Sequence, residues 1–435
     1  MKAQINGFPE LLPEEQILMN TRIDKSKKTY ESYWYVPLET SVVENMDILL
    51  AKWSDDKELY WVKRHLNVSE EDAEKKTKMW LHFDLTIPFA RYVTNNFNEL
   101  SFPFKRYQIQ KCWRWERPQL WRYREFLQAD VDVVWNEKLP LHFDAEVLEI
   151  AIKNLNLIIP NQFEMFFNNR KFFDWLCNHY NISTDDKKEF VKIIDKLDKI
   201  GKEKCLKELE EIWIPSELNN FMVESNNLEL DIEKIKSKFW KYLDNEIIKE
   251  AIWDVEMLIN NLDPNILNLI RFNLNLARWL DYYTWSIFEW RLIDFPSLSI
   301  CWWWRYENLT KTIWNKKLPW VWISLWMTRI FWLLEHLKKI DIQKKSNSNL
   351  LIWWFSEIKR VYCNNIANML RDNWINSEVY HNLEDKPSKQ IKYALWKWID
   401  KILFVWDNDE LSIKDLIIWE QSEIRLDELI KSLNK

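Results

Sequence analysis

Glycine is almost missing from this chain, and its scarcity restricts which backbones the chain can adopt. The 435 residues include 2 Gly and 30 Trp, whereas glycine ordinarily makes up roughly 7% of a protein. Tight turns, helix C-caps and close approaches of the backbone to a ligand need a residue without a Cβ. We therefore hypothesise that most Trp positions are glycine positions, written as Trp because one codon differs in meaning between genetic codes. The alternative is a protein that is rich in Trp.

The stretch SICWWWRYENL, residues 299–309, has three Trp directly before an Arg-Tyr pair. Adjacent indoles fit neither the alternation of a half-buried strand nor the stripe of a helix. Glycine in the same place would let the backbone approach a bound ligand closely. If the indoles are present, we expect crowding of a pocket by Trp279, Trp302, Trp303 and Trp304, and obstruction of a neighbouring hairpin by Trp121.

Charge and cysteine content exclude several classes of protein. A net charge of −6 gives no general attraction to nucleic acid, so such a partner must meet a local basic patch. The scattered cysteines predict reduced thiols, and the histidines lack metal-ligand spacing, so we expect no metal site.

The N-terminal MKAQINGFPELLPEEQ has no apolar signal core, and no run has membrane-spanning length. We expect a cytoplasmic protein without a membrane partner.

The length and the hydrophobic pattern predict two or three domains. Residues 14–32 predict a long amphipathic helix, and Pro37 marks a sheet edge or an interface after it. Residues 81–135 and 282–326 alternate as strands do. Residues 183–262 are rich in Lys and Glu with apolar positions at helical spacing, which predicts an inserted helical domain.

A polar, linker-like segment occupies residues 338–349. Strand patterns and helix patterns alternate after it within fewer than ninety residues. This order predicts a small α/β domain with a mostly parallel sheet.

The segment FLQADVDVV, residues 126–134, is the most informative strand. Its period of two places apolar residues on one face and, on the other, Phe126, Gln128, Asp130 and Asp132. The residues alone allow this polar face either to meet solvent or to line a pocket.

Arginines crowd the segment before this strand, around a predicted hairpin tip at Pro118. They are Arg114, Arg117, Arg122 and Arg124, with Glu116 among them. Forked guanidinium groups on adjacent strands suit bidentate binding of a polyphosphate. A surface network of ion pairs would have the same appearance in sequence.

Four segments together resemble one family. CWRWERPQLWRYREFLQ, residues 112–128, resembles motif 2 of the class II aminoacyl-tRNA synthetases in its histidyl form. ARWLDYYT, residues 277–284, is similar to a signature of the histidyl-tRNA synthetase family. PWVWISLWMTR, residues 319–329, resembles motif 3, and residues 14–40 match motif 1 more weakly.

The resemblance extends over nearly the whole chain and improves where Trp is read as glycine. The Trp residues at family glycine positions include Trp115, Trp121, Trp279, Trp302, Trp303, Trp304, Trp320, Trp322 and Trp326, together with Trp213 in the insertion and Trp374, Trp398, Trp406 and Trp419 in the C-terminal domain. Three others have no such assignment: Trp290, Trp353 and Trp354.

The resemblance implies a class II α+β catalytic domain, an antiparallel sheet flanked by helices, with a helical insertion. A C-terminal α/β anticodon-binding domain completes the implied chain. The implied boundaries are 1–165 and 263–338 for the catalytic domain, 166–262 for the insertion and 348–435 for the anticodon-binding domain.

The resemblance also implies an ATP site. Arg114 would contact the α-phosphate and the histidine carboxylate, Glu116 the adenine amino group, and Arg122 the γ-phosphate end. Phe126 and Arg329 would sandwich the adenine. Magnesium would arrive bound to the nucleotide.

The histidine-binding residues that the resemblance implies are Asp84, Leu85, Thr86, Arg114, Gln128, Asp132, Arg278, Tyr282, Tyr283 and Tyr306. Asp84 and Thr86 would hold the α-ammonium group, although many family members have Glu at the first position. Tyr283 and Tyr306 would fix the imidazole, a ring that needs one donor and one acceptor.

Arg278 and Arg114 are the catalytic residues that the resemblance implies. Arg278, opposite Arg114, would neutralise charge at the α-phosphate while histidyl-adenylate forms.

The implied activity is ATP-dependent ligation of L-histidine to tRNA(His) by a homodimer, with release of AMP and pyrophosphate. The alternative is a catalytically inactive regulatory subunit of histidine biosynthesis, such as the partner of ATP phosphoribosyltransferase. Such paralogues typically lack the anticodon domain and lose catalytic arginines, whereas this sequence keeps both. Threonyl- and prolyl-type synthetases share the architecture but not the LDYY sequence.

Overall fold

The computed structural model describes residues 5–49, 58–62, 79–119, 121–225, 227–276, 286–306, 317–354, 359–382, 385–406 and 408–433. The contacts divide the chain into two compact units. The first consists of Met1–Pro9 and Ile23–Lys338, and the second of Glu10–Arg22 and Lys339–Lys435. None of the described helices is long and apolar enough to cross a membrane.

A nine-stranded sheet forms the centre of the first unit, within the part of the chain described above. Its strands are β1 (Val36–Pro37), β5 (Phe104–Trp113), β6 (Glu125–Val134), β7 (Phe163–Asn169), β8 (Leu228–Glu229), β9 (Ile270–Phe272), β10 (Ser286–Leu292), β11 (Phe295–Tyr306) and β12 (Trp320–Trp326). Their order is β1-β5-β6-β12-β11-β10-β7-β9-β8. A small second sheet contains β2 (Val43–Asn45), β3 (Trp61–Val62) and β4 (Met79–Leu81).

Most neighbouring strands of the large sheet are antiparallel, as the family resemblance implies. The exceptions are the pairs β1–β5 and β7–β9, which are parallel. Pro37 lies in β1, at one edge of the sheet, as predicted from its missing N–H.

The first unit also contains α-helices. They are α1 (Pro13–Ser32), part of which belongs to the second unit, α2 (Met46–Leu49), α3 (Thr86–Asn95), α4 (His142–Ile158), α5 (Arg170–His179), α6 (Thr184–Ile194), α7 (Leu197–Ile200), α8 (Lys202–Glu211), α9 (Ser216–Glu224), α10 (Ile232–Lys238), α11 (Glu246–Asn261) and α12 (Met327–His336). Two short 3-10 helices span Trp240–Tyr242 and Pro264–Leu269. The predicted helical character of residues 183–262 agrees with α6 to α11, which are interrupted only by the short β8 among the described strands.

Helix α3 corrects the prediction that residues 81–135 are all strand-like. Its buried face includes Ile87, Phe89 and Val93, with spacings of two and four residues. Phe89 packs edge-on against Trp320 of β12, with ring centres 4.9 Å apart. This contact seals the helix against the sheet, so tertiary packing decided the conformation of a short segment with mixed local preference.

The second unit contains its own five-stranded sheet, in the order β14-β13-β15-β16-β17. Its elements are β13 (Leu350–Trp354), α13 (Arg360–Asp372), β14 (Ser377–Val379), α14 (Pro387–Trp396), β15 (Lys401–Val405), β16 (Leu411–Asp415), β17 (Gln421–Glu423) and α15 (Leu426–Leu433). Alternate residues of β13 belong to different apolar clusters: Ile352 packs with α13, and Leu351 packs with residues of α14.

The sheet of the second unit is less parallel than predicted. Strands β14, β13 and β15 are mutually parallel, as expected where helices connect strands. Strands β16 and β17 are antiparallel to their neighbours because short turns connect β15, β16 and β17 in succession. These short connections contain no helix. The prediction, which was based on alternating strands and helices, therefore did not include the antiparallel strands β16 and β17.

Candidate active site

A buried ion pair joins two central strands of the large sheet. Arg106 of β5 and Asp132 of β6 are register partners, and Arg106 Nε lies 2.9 Å from an Asp132 carboxylate oxygen. Trp320 Nε1 donates to the other carboxylate oxygen at 2.7 Å. Both charged side chains are almost completely buried, so each depends on its partner to compensate for lost hydration. The pair fixes one end of the polar face of β6.

The polar face of β6 is buried along its length. The exposed fractions of Gln128, Asp130 and Asp132 are 2%, 1% and 1%. The solvent-facing interpretation of this strand is therefore wrong. Gln128 Nε2 donates to Ser324 Oγ of β12 at 2.8 Å, while Gln128 Oε1 has no hydrogen-bond partner among the described residues. Such an acceptor is suited to a donor on a bound ligand.

Two neighbouring carboxyl groups on this face have raised pKa values. Burial raises the pKa of Asp130, and the charge of Asp132 raises it further. Burial also raises the pKa of Asp132, although Arg106 and the Trp320 indole oppose the effect. The environment therefore favours retention of a proton by this pair near neutral pH.

The loop before α3 brings another carboxylate to the same region. The backbone N–H groups of Thr86 and Ile87 both donate to Asp84 Oδ1, at 3.1 Å. This geometry satisfies orphan donors at the start of α3 and holds the side chain in place. Asp84, Leu85 and Thr86 are all buried. The charge of Asp84 adds to the effect of burial in raising the pKa of Asp132.

Tyr306, at the end of β11, faces this group of carboxylates. It is 1% exposed, and its ring centre lies 5.7 Å from that of Trp320. Burial raises the pKa of Tyr306 well above its ordinary value, and the charge of Asp84 adds to the effect. The phenol is therefore neutral and keeps its proton for donation.

A second group of residues lies on the segment between β5 and β6. Arg114 Nε donates to the Phe83 carbonyl at 3.3 Å, and its guanidinium carbon lies 4.2 Å from the Phe83 ring centre. Glu116 carboxylate oxygens are 3.8 Å from Arg114 Nη1 and 3.8 Å from Arg122 Nη1. The Arg122 side chain is 49% exposed. The row of alternating charges thus runs from the protein interior to solvent.

Trp326, at the end of β12, separates Phe126 from Arg329. The Arg329 guanidinium carbon lies 3.7 Å from the Trp326 ring centre. The Phe126 and Trp326 ring centres are 5.9 Å apart, with planes inclined by 38°. Arg329 also donates to the Ser299 carbonyl through Nη1 and to the Trp121 carbonyl through Nε, at 2.8 Å and 3.3 Å. The indole thus fills the gap in which the resemblance implies an adenine ring.

Burial lowers the pKa of Arg329 well below its ordinary value, and the charges of Arg122 and Arg114 lower it further. Cations this close to one another favour a negatively charged ligand between them. The cavity that they surround measures about 20 Å³, which holds about one water molecule. Its walls are Arg114, Glu116, Trp121, Arg122, Tyr123, Phe126, Trp326 and Arg329.

The structure brings together most of the residues that the resemblance implied. Five surround the small cavity: Arg114, Glu116, Arg122, Phe126 and Arg329. Others lie on the buried polar face or beside it: Asp84, Thr86, Gln128, Asp132 and Tyr306. Arg278, Tyr282 and Tyr283 lie outside the described residues, as does Trp279.

The sequence interpretation missed Arg106 as a partner of Asp132. A signal was present, because Arg106, Gln108 and Gln110 alternate along KRYQIQK as polar residues on one face of β5. Arg106 Nη1 donates to Gln108 Oε1 at 2.8 Å, and Gln108 Nε2 donates to Gln110 Oε1 at 2.5 Å. Polar alternation on two adjacent strands would have predicted a buried network between them.

The expected crowding of the pocket by indoles is observed at Trp302 and not at Trp303. The ring centre of Trp302 lies 5.0 Å from that of Trp326, on the side of the candidate site. Trp303 is fully buried and packs edge-on against Phe288 of β10, with ring centres 4.7 Å apart. Successive residues of a strand point to opposite faces, so one of the two necessarily leaves the site.

Comparison with known proteins agrees with this geometry. A family model described as "Histidyl-tRNA synthetase" matches residues 7–292. The histidine--tRNA ligase of Clostridium tetani (strain Massachusetts / E88) is 34% identical over 443 residues, covering 98% of this chain and 96% of that protein. The histidine--tRNA ligase of Clostridium acetobutylicum is 34% identical over 437 residues, covering 97% of each chain.

Solved structures extend the similarity to the fold. The crystal structure of histidyl-tRNA synthetase from Nostoc sp. PCC 7120 matches with a TM-score of 0.88 and 28% identity, covering 100% of this chain and 99% of that one. An ATP phosphoribosyltransferase regulatory subunit/histidyl-tRNA synthetase from Bacillus halodurans C shares the fold with a TM-score of 0.72 at 14% identity. Motifs, fold and full-length relatives agree, and the chain belongs to the histidyl-tRNA synthetase family.

Proposed function

We propose that the chain activates L-histidine with ATP and transfers it to tRNA(His), releasing AMP and pyrophosphate. The observation that carries the proposal is the grouping of Arg114, Glu116, Phe126 and Arg329 around one cavity at the edge of the buried polar face. These residues come from motifs that are more than two hundred positions apart in the sequence. Full-length relatives named histidine--tRNA ligase support the same reaction.

The first step joins two anions, because the histidine carboxylate attacks the α-phosphorus of ATP. Fixed cations then matter more than a general base, since they stabilise charge that accumulates in the transition state. Arg114 is suited to this role because its Nε bonds to the Phe83 carbonyl and its guanidinium lies against the Phe83 ring. We assign Arg278 the opposing position. In the second step, a terminal ribose hydroxyl of tRNA attacks the activated ester.

Histidine recognition needs both donors and acceptors. The neutral Tyr306 phenol can donate to one imidazole nitrogen. Gln128 offers a buried acceptor oxygen, and Asp132 a carboxylate. We assign Asp84 and Thr86 to the α-ammonium group, with Leu85, Tyr282 and Tyr283 completing the histidine site. A buried polar pocket rejects isosteric side chains because they leave its groups unpaired.

For the nucleotide, we assign Glu116 to the adenine amino group and Arg122 to the γ-phosphate end. Phe126 and Arg329 would stack on the two faces of the adenine ring. Magnesium belongs to the substrate, as the ion bound to the polyphosphate. Among the described residues, no group of His, Cys, Asp or Glu is placed to hold a metal by itself.

The remaining assignments concern domains and partners. We propose that residues 14–40 form the interface of a homodimer and that residues 348–435 bind the anticodon loop. Splayed bases of such a loop can be stacked and hydrogen-bonded. We further propose catalytic segments 1–165 and 263–338 around a helical insertion, 166–262, and a reaction that takes place in the cytoplasm.

The alternative function, a regulatory subunit of histidine biosynthesis, is less well supported. Arg114 and Arg329 are retained and lie on one cavity. The second unit is complete enough to form a five-stranded sheet with helices on both sides. A regulatory paralogue would need neither feature.

Histidine-dependent exchange of pyrophosphate into ATP tests the proposal, with protein purified from the cells that naturally make it. We expect exchange with histidine and none with threonine or proline. Exchange does not require tRNA, so aminoacylation of tRNA(His) is measured separately. If a homogeneous, folded preparation catalyses no pyrophosphate exchange, whichever amino acid is added, the result would favour the regulatory alternative.

A further inference from the structure

We propose that glycine, not tryptophan, occupies a defined set of the Trp positions in the active protein, because the producing cell decodes their codon as glycine. One group consists of residues with a left-handed backbone: Trp34, Trp121, Trp213, Trp374, Trp398 and Trp419. The other group lies at the candidate active site: Trp302, Trp322 and Trp326. The second group rests on the proposed function, whereas the first rests on backbone geometry alone.

Four helix ends share one hydrogen-bond pattern. After α1, the Trp34 N–H donates to the Glu31 carbonyl at 3.0 Å, and the Tyr35 N–H donates to the Tyr30 carbonyl at 3.2 Å. The ends of α8, α13 and α14 repeat both bonds, with Trp213, Trp374 and Trp398 in the place of Trp34. This is the Schellman motif, whose central residue must be left-handed and is usually glycine.

The φ values of these four residues are 67°, 62°, 62° and 56°, in chain order. A side chain at such φ brings its Cβ against the backbone, and bulky residues there are outliers. At three of the four positions, packing gives no compensating reason for an indole. Trp34, Trp213 and Trp374 are 86%, 91% and 93% exposed, so their side chains gain little burial.

A fifth helix end supplies an internal control. After α5, the Asn181 N–H donates to the Asn178 carbonyl at 3.1 Å, and the Ile182 N–H donates to the Cys177 carbonyl at 2.9 Å. Here the left-handed residue is Asn181, with φ of 53°. Asparagine is the usual second choice after glycine in this position. At this helix end, where the residue is not Trp, the chain thus carries one that the backbone favours.

Two turns extend the pattern beyond helix ends. Trp121 has φ of 61° in the reverse turn closed by reciprocal backbone bonds between Gln119 and Arg122. Trp419 has φ of 60° between β16 and β17. Six of the eleven left-handed non-glycine residues among those described are Trp, and the others are mainly Asn. Trp is otherwise the wrong residue for such positions, so its concentration there indicates glycine.

The candidate site gives an independent reason. Trp326 fills the gap between Phe126 and Arg329, and Trp302 packs against it. The remaining cavity of about 20 Å³ compares with roughly 300–1,000 Å³ for ordinary small-molecule sites. Glycine at 326 and 302 would remove both indoles and leave Phe126 and Arg329 facing each other across an open gap.

Trp322 continues this crowding beside Tyr306, and Trp303 adds a buried donor on the opposite face of β11. Trp322 is 4% exposed and packs in the apolar cluster that contains Tyr306. The indole N–H of Trp303 is buried and has no hydrogen-bond partner among the described residues. A buried donor without an acceptor is unfavourable, and glycine has no side-chain donor to satisfy.

Peptide mass spectrometry of the protein from its natural cells tests the inference directly. We expect glycine masses at 374, in the tryptic peptide that follows Arg371, and at 302 and 326 in the site peptides. Tryptophan at 374 or 213 would overturn the inference from backbone geometry. Tryptophan at 326 would overturn the inference from the candidate site. The gene sequence is the matched check: the proposed positions should share one codon of variable meaning.

A second comparison separates this inference from the proposed function. Two recombinant proteins are compared: the printed chain, and a variant carrying Trp302→Gly, Trp322→Gly and Trp326→Gly. We expect saturable ATP binding by the variant only. Glycine masses in an enzyme that never activates histidine would refute the function and keep the inference. Tryptophan masses in an active enzyme would refute the inference and keep the proposed function. The mass spectrum gives its result whether or not the recombinant variant folds.

Discussion

The guanidinium carbon of Arg329 lies 3.7 Å from the ring centre of Trp326, and the indole covers the face that would otherwise be available to an adenine. Arg329, in α12, also donates to the carbonyls of Trp121 and Ser299, and these two hydrogen bonds fix the plane of its guanidinium group. A planar cation held in this way stacks on a flat ring more favourably than a flexible ammonium does. Under the proposed function, this arrangement predicts that Arg329 is a determinant of nucleotide affinity.

In protein that carries glycine at 302, 322 and 326, we expect Arg329→Met to weaken ATP binding by about 2- to 30-fold, since a cation–π contact contributes about 0.5–2 kcal/mol. Histidine affinity should stay nearly unchanged. Titration calorimetry with each substrate measures the two effects. Arg329→Lys should recover only part of the loss, because it restores charge without the plane. Equal loss of histidine and ATP affinity would contradict the assignment.

The second prediction concerns charge at the α-phosphate. In the same glycine-bearing protein, Arg114→Ala or Arg278→Ala should lower kcat for pyrophosphate exchange by about 100-fold or more, as removal of a transition-state donor does. Arg278→Ala should change the KM for histidine much less than kcat. The control is Arg425→Ala, whose side chain is 80% exposed in the second unit. Near-normal exchange by Arg278→Ala would remove Arg278 from the chemistry.

Gln128 provides a test of amino-acid recognition. Its Oε1 is buried without a hydrogen-bond partner among the described residues. If a histidine donor binds there, Gln128→Leu leaves that donor unpaired at a cost of about 1–3 kcal/mol. We expect the KM for histidine to rise by about 5- to 150-fold, with little change in the KM for ATP. Gln343→Leu, on the exposed linker-like segment, is the control.

Asp130 predicts a pH dependence of stability. Burial and the charge of Asp132 raise the pKa of Asp130 to about 8, from an ordinary value near 4. Between about pH 4 and about pH 8, the Asp130 carboxyl group therefore keeps its proton in the folded protein and loses it in the unfolded chain. The free energy of unfolding consequently falls as the pH rises from about 4 to about 8. The slope is about 1.4 kcal/mol per pH unit for one proton. Asp130→Asn should flatten it.

Urea unfolding at several pH values measures this slope. Asp185→Asn is the matched control, because the Asp185 side chain is 95% exposed. An unchanged slope in Asp130→Asn would mean that the carboxyl group is ionised throughout the range.

The left-handed Trp residues predict an unusual gain of stability. Trp374→Gly should stabilise the printed chain by about 1–2 kcal/mol, the cost of a left-handed conformation with a Cβ. Trp253→Gly makes the same substitution inside α11, where the indole is 53% exposed. There we expect destabilisation, by roughly the 0.3–1 kcal/mol that glycine costs in a helix. Unfolding midpoints in urea compare the two. Destabilisation by both variants would show that Trp374 packs usefully.

Much of the fold was accessible from local pattern. The helix at Pro13–Ser32, the helical region after residue 183 and the polar alternation of β6 follow from periodicity and composition. The motif arginines were recognisable for the same reason, since their spacing and chemistry are local properties. The parallel strands β13, β14 and β15 also follow from strand–helix alternation.

The misses share a physical cause, which is dependence on distant residues. Helix α3 forms where Phe89 meets Trp320, more than two hundred residues away. The antiparallel strands β16 and β17 depend on short turns that carry no periodic signal. The partnership of Arg106 and Asp132 depends on the register of β5 against β6.

By itself, the sequence determined the family, the helix at Pro13–Ser32, the helical region after residue 183 and the shortage of glycine. Only the tertiary structure decided that the polar face of β6 is buried, because burial depends on which strands and helices cover a face. It also decided which Trp positions are left-handed and which one fills the gap between Phe126 and Arg329. Backbone angles and ring contacts arise from the packing of distant segments, and no local pattern of residues contains them.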